Sequence, residues 1–274
     1  MNTTIQKQII HWDQTSNQSK NQDLLGEEPL SIRIQGNPYS VVMRTPGDEI
    51  ELVAGFCLTE GIIDTPDDYK SLAFCDGEDT NTVAVTLVPS RREQISQILD
   101  RRGFISQTSC GLCGKEIVKD LFQKIQPLKN NGRIDISRAL ACLEKITRHQ
   151  PLRQQTRAAH AAVLFDSDFE LLASAEDVGR HNALDKVIGK VFLDKKLDQA
   201  ALLVLSSRIS FELVQKAARA RIPIILAISR PTALAVQLAT ELNITLATLS
   251  SDGPGLYVFC AAKRLLDAKE ARGA

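Results

Sequence analysis

Two cysteines three positions apart carry the most pointed chemistry in this chain of 274 residues. In Ser109-Cys110-Gly111-Leu112-Cys113-Gly114-Lys115, both thiols can face one small ligand, or one can attack a sulfur held by the other. Gly111 and Gly114 leave the backbone unobstructed, and Lys115 favours the thiolate. A zinc site needs about four ligands and no second pair is present, so no metal is expected. A thioredoxin-like pair sits at a helix start straight after a strand, which these flanks fit only loosely. A zinc deaminase needs H-x-E ahead of P-C-x-x-C, and neither occurs. Sulfur relay, in which a thiolate holds sulfane sulfur as a persulfide and passes it on, needs a reachable thiol in a glycine-flanked loop, which matches what is written.

A second polar concentration lies at residues 176–189, Glu-Asp-Val-Gly-Arg-His-Asn-Ala-Leu-Asp-Lys-Val-Ile-Gly. Here Asp177, Arg180, His181, Asn182 and Asp185 fall at a strand-to-helix junction. His181 is a candidate acid, base or ligand contact, since imidazole titrates near neutrality. The plainer alternative is that His181 or Asn182 caps the helix while Asp177 and Arg180 pair on the surface.

The third candidate is a set of strand ends, because open α/β sheets bind ligands beyond the carboxyl ends of their strands. One strand runs into Ser206-Ser207-Arg208-Ile209-Ser210. The next runs into Ser229-Arg230-Pro231-Thr232, and the last, ending at Leu249, into Ser250-Ser251-Asp252-Gly253-Pro254-Gly255. Hydroxyls, backbone N–H groups and arginines together suit a phosphate or another anion. Ser207, Ser210 and Thr232 could equally serve as helix caps.

These groups need elements to hold them. Alternation over 30–36 and 38–44, joined at Gly36-Asn37-Pro38, predicts a hairpin. A helix follows over 45–61, with Gly61 in the left-handed cap position, and then strands at 69–75 and 81–88. A short helix is expected at 116–125, a turn-rich bridge at 126–133 and a helix over 135–149. The second half alternates short apolar runs with amphipathic helices. Its strands fall at 160–166, 170–176, 201–206, 222–229 and 244–250, and its helices at 182–195, 211–220 and 232–242. That rhythm predicts a mainly parallel sheet covered by helices. Residues 1–27, rich in Gln, Asn, Ser and Thr, are expected as a flexible leader. Residues 28–126 would form a smaller α/β domain carrying the Cys pair, and 133–270 the second domain.

Lys plus Arg and Asp plus Glu both number 33, for a formal net charge of zero. That balance argues against a nucleic-acid or membrane coat. The longest charge-free stretch, 103–114, is too short and too polar to span a bilayer. No secretory signal opens the chain, and six scattered cysteines suit a reducing cytoplasm. Cys57, Cys75, Cys142 and Cys260 sit in apolar runs and read as small core residues. No Walker loop, G-x-G-x-x-G, H-E-x-x-H or G-x-S-x-G is present.

The four runs at 45–63, 109–115, 176–189 and 206–239, in that order, resemble the FdhD family of formate dehydrogenase accessory sulfurtransferases. The resemblance runs from about Glu28 to Leu266. It implies a carrier that takes sulfane sulfur from a cysteine desulfurase and delivers it to the molybdenum (or tungsten) bis-guanine-dinucleotide cofactor of formate dehydrogenase. Cys110 matches the family's persulfide-bearing cysteine and Cys113 its neighbour. The resemblance also implies a cytidine-deaminase-like three-layer second domain, a homodimer, and cofactor contacts in that domain. The contacts carried here are Ser207, Arg208, Ser229, Thr232, residues 249–254 (Leu249, Ser250, Ser251, Asp252, Gly253, Pro254) and His181. Two segments depart from the family pattern. In 248–258 Tyr257 matches while the usual Phe and Arg do not, and in 156–162 Thr156 and His160 match while Arg157 and Ala158 replace glycines. A non-catalytic cofactor chaperone and a dithiol oxidoreductase are the competing functions.

Overall fold

Leu30, Ile32 and Ile34 alternate with more exposed neighbours and are all buried, as a strand with one face on a core requires. The computed structural model describes residues 2–75, 80–95, 125–129 and 132–267. Cys110, Cys113 and all but the last residue of the helix expected at 116–125 lie outside the described residues.

In chain order the elements are β1 (Thr4–Trp12), β2 (Asn17–Leu25), β3 (Glu28–Ile34), β4 (Asn37–Arg44), α1 (Glu49–Thr59), β5 (Tyr69–Phe74), β6 (Thr82–Leu87) and α2 (Pro89–Gln94). They continue with β7 (Ile134–Asp135), α3 (Ile136–Glu144), α4 (Pro151–Thr156), β8 (His160–Phe165), β9 (Leu171–Asp177), α5 (Arg180–Leu193), β10 (Leu202–Leu205) and α6 (Phe211–Arg219). The last are β11 (Ile224–Ala227), α7 (Ala233–Glu241), β12 (Thr245–Leu249), β13 (Leu256–Cys260) and β14 (Leu265–Leu266). One sheet has the order β4-β3-β6-β5 and the larger one β13-β12-β11-β10-β8-β9. The architecture is mixed α/β.

Four expectations need correction. The large sheet is not mainly parallel: β10, β11 and β12 are parallel, but β8, β9 and β13 join antiparallel. Short turns after β8 and β12 return the chain as hairpins, which a parallel crossover cannot do. Residues 2–27 form an antiparallel β1–β2 hairpin rather than an irregular leader. Its signal was Asp13, whose carboxylate accepts from the Thr15 and Ser16 N–H groups at 2.8 Å each and shapes the turn. Gln155 donates to Asp23 and ties the hairpin to the body. The helix expected over 135–149 ends at Glu144 and finishes as a 3-10 segment over Ile146–His149. Cys75 is exposed, because it lies one residue beyond β5 at the end of an edge strand.

Residues on both sides of the 126–133 bridge share one buried cluster, in which Leu52, Phe56 and Leu30 join Leu184, Val187, Leu203 and Leu213. Its tightest point is the crossing of α1 and α5. A Cβ on Gly55 would lie 1.9 Å from the Asp185 carbonyl oxygen, and one on Gly189 would lie 1.8 Å from that of Glu51. Only glycine permits so close an approach. A second cluster, on the opposite face of the large sheet, is covered by α3 through Ala139 and Leu143.

Candidate functional site

Strand register assembles the site. Leu205 pairs with Ala162 on one side and Ala227 on the other, and Ala227 pairs with Thr248. Two residues further toward the carboxyl edge, the pleat returns to the same face. There the sequence places His160 at the start of β8, and Ser207, Ser229 and Ser250 just past the ends of β10, β11 and β12. His160 in turn pairs with Asp177 of β9. Hydrogen bonds from Ser206 N–H to the Ala161 carbonyl (3.0 Å) and from Ile228 N–H to that of Leu205 (3.1 Å) hold the strands together at this edge. The register therefore brings the three strand ends that carry Ser207, Ser229 and Ser250 to one edge of the sheet, beside the start of β8, which opens with His160.

Asp177 is fully buried and holds this end of the fold together. Lys186 Nζ lies 2.8 Å from its Oδ2, and Thr45 N–H donates to the same oxygen at 3.0 Å. Its Oδ1 accepts from Gly179 N–H at 2.8 Å and from Asn182 Nδ2 at 3.0 Å, while Asn182 also donates to the Met43 carbonyl. Asp177 and Asn182 thus tie the β4–α1 turn to the start of α5, and are neither a surface pair nor a helix cap. Gly179 takes the N-cap position of α5, with no side chain capping it.

His181 stands in the first turn of α5, partly open to solvent. Its Nε2 lies 3.5 Å from Ser210 Oγ and 3.9 Å from Glu212 Oε2. Burial, reinforced by Arg180 and Lys216, pushes its pKa down to about 4, so the ring is neutral near pH 7. One helical turn deeper, Asp185 meets Lys216 at 2.8 Å, and Lys216 also donates to Thr59 at 3.0 Å. His181 and Asp185 on α5 face Glu212 and Lys216 on α6 at matching four-residue spacings, as one helix face requires. Burial alone would discharge this buried Lys, but Asp185 and Glu60 hold its pKa above the ordinary lysine value.

The remaining called residues divide by environment. Ser207 is buried and donates to the Arg208 carbonyl, while Arg208 is exposed. Thr232 accepts from Ala235 N–H at 3.3 Å and is a helix cap. Leu249 packs toward the core on the opposite face. In the exposed turn over 250–255, Ser250 N–H donates to the Gly255 carbonyl, and Gly253 and Gly255 take positive φ. Tyr257 donates to Asp252, Arg230 donates to Ser251 at 3.2 Å, and the Arg230 guanidinium lies 5.0 Å from the Tyr257 ring centre. Among the described residues, no carboxylate lies within 4.0 Å of the side-chain nitrogens of Arg153, Arg180, Arg208 or Arg230. These four guanidinium groups lie along one sheet edge, and Arg153, Arg180 and Arg230 act at longer range on Glu176, Glu212 and Asp252.

Residues 25–266 match the family described as FdhD/NarQ. The chain belongs to the FdhD/NarQ family. It is 37% identical over 268 residues to the sulfur carrier protein FdhD of Mycolicibacterium paratuberculosis, covering 94% of this chain and 97% of that protein. It is 39% identical over 253 residues to the protein of the same name from Streptomyces coelicolor, covering 88% of each. A crystal structure described as a formate dehydrogenase accessory protein from Desulfotalea psychrophila superposes with a TM-score of 0.77 at 23% identity, over 97% of this chain and 100% of that one. In this FdhD/NarQ chain, Arg153 and Lys216 gave no sequence signal of a site, because helices from distant parts of the chain bring them to it. His160 was visible only through the family pattern, and Arg180 only as one of five polar groups.

Proposed function

We propose that this chain is a sulfur carrier that serves formate dehydrogenase. Family membership and the relatives named as sulfur carriers support the sulfur half of the reading. The observation that carries the acceptor half is the sheet edge at which Arg153, Arg180, Arg208 and Arg230 have no carboxylate within 4.0 Å among the described residues, a surface suited to a polyanion. The acceptor proposed is the molybdenum or tungsten bis-guanine-dinucleotide cofactor, whose pyrophosphate groups match that chemistry.

In the first step, the Cys110 thiolate attacks the sulfane sulfur of a cysteine desulfurase persulfide. A new S–S bond forms on Cys110, the donor's S–S bond breaks, and the donor leaves as a thiolate. In the second step the S–S bond of the Cys110 persulfide breaks and Cys110 leaves as the thiolate, with Cys113 assisting release; the acceptor would take up the neutral sulfur atom and supply the two electrons that bring it to the sulfide level. In this reading the protein works as a homodimer in the cytoplasm. No helix among the described residues is long and apolar enough to cross a membrane.

The test is peptide mass spectrometry after incubation with a cysteine desulfurase and cysteine. One reductant-labile sulfur added to the Cys110–Cys113 peptide, absent in Cys110→Ala, is the expected result. A loss of two hydrogens across that peptide instead would indicate a dithiol oxidoreductase. An unchanged mass would leave a cofactor chaperone.

A further inference from the structure

An edge strand invites pairing with another chain unless the fold obstructs it. The two main sheets obstruct theirs. β4, β5, β9 and β13 each carry one residue that the pairing skips, Tyr39, Lys70, Leu172 and Phe259, and such bulges turn an edge away from a straight partner. Lys190 adds to this on β9 by donating to the Ser174 carbonyl. β1 has no such device. It pairs with β2 from Thr4 through Trp12 without skipping a residue, and its nine residues hold no proline, no carboxylate and a single lysine. β2, the other side of the hairpin, carries Lys20 and Asp23 and lies against α4.

The two ends of the hairpin fix which groups of β1 face outward. Asp13 N–H donates to the Ser16 carbonyl and Gly26 N–H to that of Thr3, so odd-numbered residues of β1 turn their backbone groups to β2. Thr4, Gln6, Gln8, Ile10 and Trp12 therefore turn an N–H and a C=O outward, where no strand lies among the described residues. Their side chains share one face, on which Ile10 is 62% exposed and Trp12 71%. A lone two-stranded hairpin is marginal in water, and further strands make such a ribbon stable.

We infer that the outer edge of β1 pairs antiparallel with the same edge of a second copy of this chain, making one four-stranded sheet of order β2-β1-β1-β2. A twofold axis through Gln8 overlaps all nine residues. It sets Gln8 against Gln8 of the second copy, Gln6 against Ile10 of the second copy and Thr4 against Trp12 of the second copy, so outward groups meet outward groups along the whole strand. An axis at Lys7 would set that lysine against itself, which is repulsive, and an axis at Ile9 would leave Thr4 and Ile5 unpaired. Lys7 and Lys20 balance Asp13 and Asp23 on each hairpin, so two copies meet without net charge. Contact of one patch with itself closes at two copies. The inference builds on the homodimer of the proposed function by placing a contact which that reading leaves open.

Trp12 is the single tryptophan of the chain, so its fluorescence reports this contact directly. The test follows the full chain through a dilution series by sedimentation velocity and tryptophan emission. The expected result is a wild type that falls to half its mass on dilution, with its emission moving to the red. Gln8→Pro removes the central outward N–H and spares the bonds to β2, and Gln8→Lys sets two lysines together on the axis. Each should raise the dissociation constant about tenfold or more. Asn21→Lys, which puts the same charge opposite Gln8 on β2, should behave as wild type, and amide spectra check that each variant is folded. A folded Gln8→Lys protein with wild-type mass and emission overturns the inference, and a dimeric mass would then leave the homodimer reading standing with its contact elsewhere. A wild type that is monomeric at every concentration overturns both.

Discussion

Gly189→Ala sets helix propensity against packing, and the α1–α5 crossing decides which wins. Alanine gains about 1 kcal/mol over glycine in a helix interior. The added methyl, however, would lie 1.8 Å from the Glu51 carbonyl oxygen and 2.9 Å from Gly55 N. Ordinary contact begins near 3.4 Å, so the helices must part by about 3.4 − 1.8 = 1.6 Å, and a gap of even 0.5–1 Å forfeits about a quarter to a half of each dispersion contact. The obstacle is backbone on a buried helix and cannot swing aside, which places the cost at the upper end of the roughly 1–3 kcal/mol typical of overpacking. The expected net loss is about 2 kcal/mol, or a Tm lower by roughly 4–8 °C for a chain of this size. Urea unfolding followed by circular dichroism measures it. Gly132→Ala, where a Cβ meets nothing within 4 Å, should stay within about 0.5 kcal/mol of wild type. A Gly189→Ala protein as stable as wild type, or more stable, would refute the close-approach argument.

Two further outcomes follow from the buried charges. Lys186→Met strands the Asp177 carboxylate and should cost about 3–5 kcal/mol, whereas adding Asp177→Asn should recover only part of that loss, because the new amide nitrogen faces the Thr45 N–H, another donor. A double variant no more stable than the single one in urea unfolding would contradict this. His181 has a folded pKa of about 4 against 6.5 for the free group, so the unfolded chain binds more protons between those values. Its contribution to stability is therefore complete above about pH 6.5 and lost as pH falls toward 4. After discounting for solvent screening of a partly exposed ring, it is on the order of 1 kcal/mol. His181→Gln should flatten that part of the stability–pH curve, and an unchanged slope would show that other groups produce it.

Much of the fold follows from local pattern. Period-two runs such as 30–34 and 82–87 and the helical stripe of 182–195 are decided by which face must leave water, and a chain reports that in its own spacing. The β1–β2 hairpin escaped notice because backbone pairing and an Asp13 turn stabilise it, without a buried apolar face. Sheet direction also escaped, since strand spacing does not reveal whether a short loop returns the chain beside its predecessor.

The candidate site divides along the same line. Residue types and local spacing alone marked Cys110 and Cys113, the polar junction at 176–189, and the serine- and arginine-bearing strand ends. Which of these meet is a matter of register and helix crossing, quantities set between segments more than a hundred residues apart. Only the assembled sheet brings the strand ends that carry Ser207, Ser229 and Ser250 to the edge where β8 opens with His160. Only the α1–α5 crossing and the Lys186 pair turn Asp177 inward, leaving Arg180 with no carboxylate within 4.0 Å among the described residues. The chain carries the chemistry in its residue types, whereas burial and long-range pairing select which groups are spent on folding and which remain to bind.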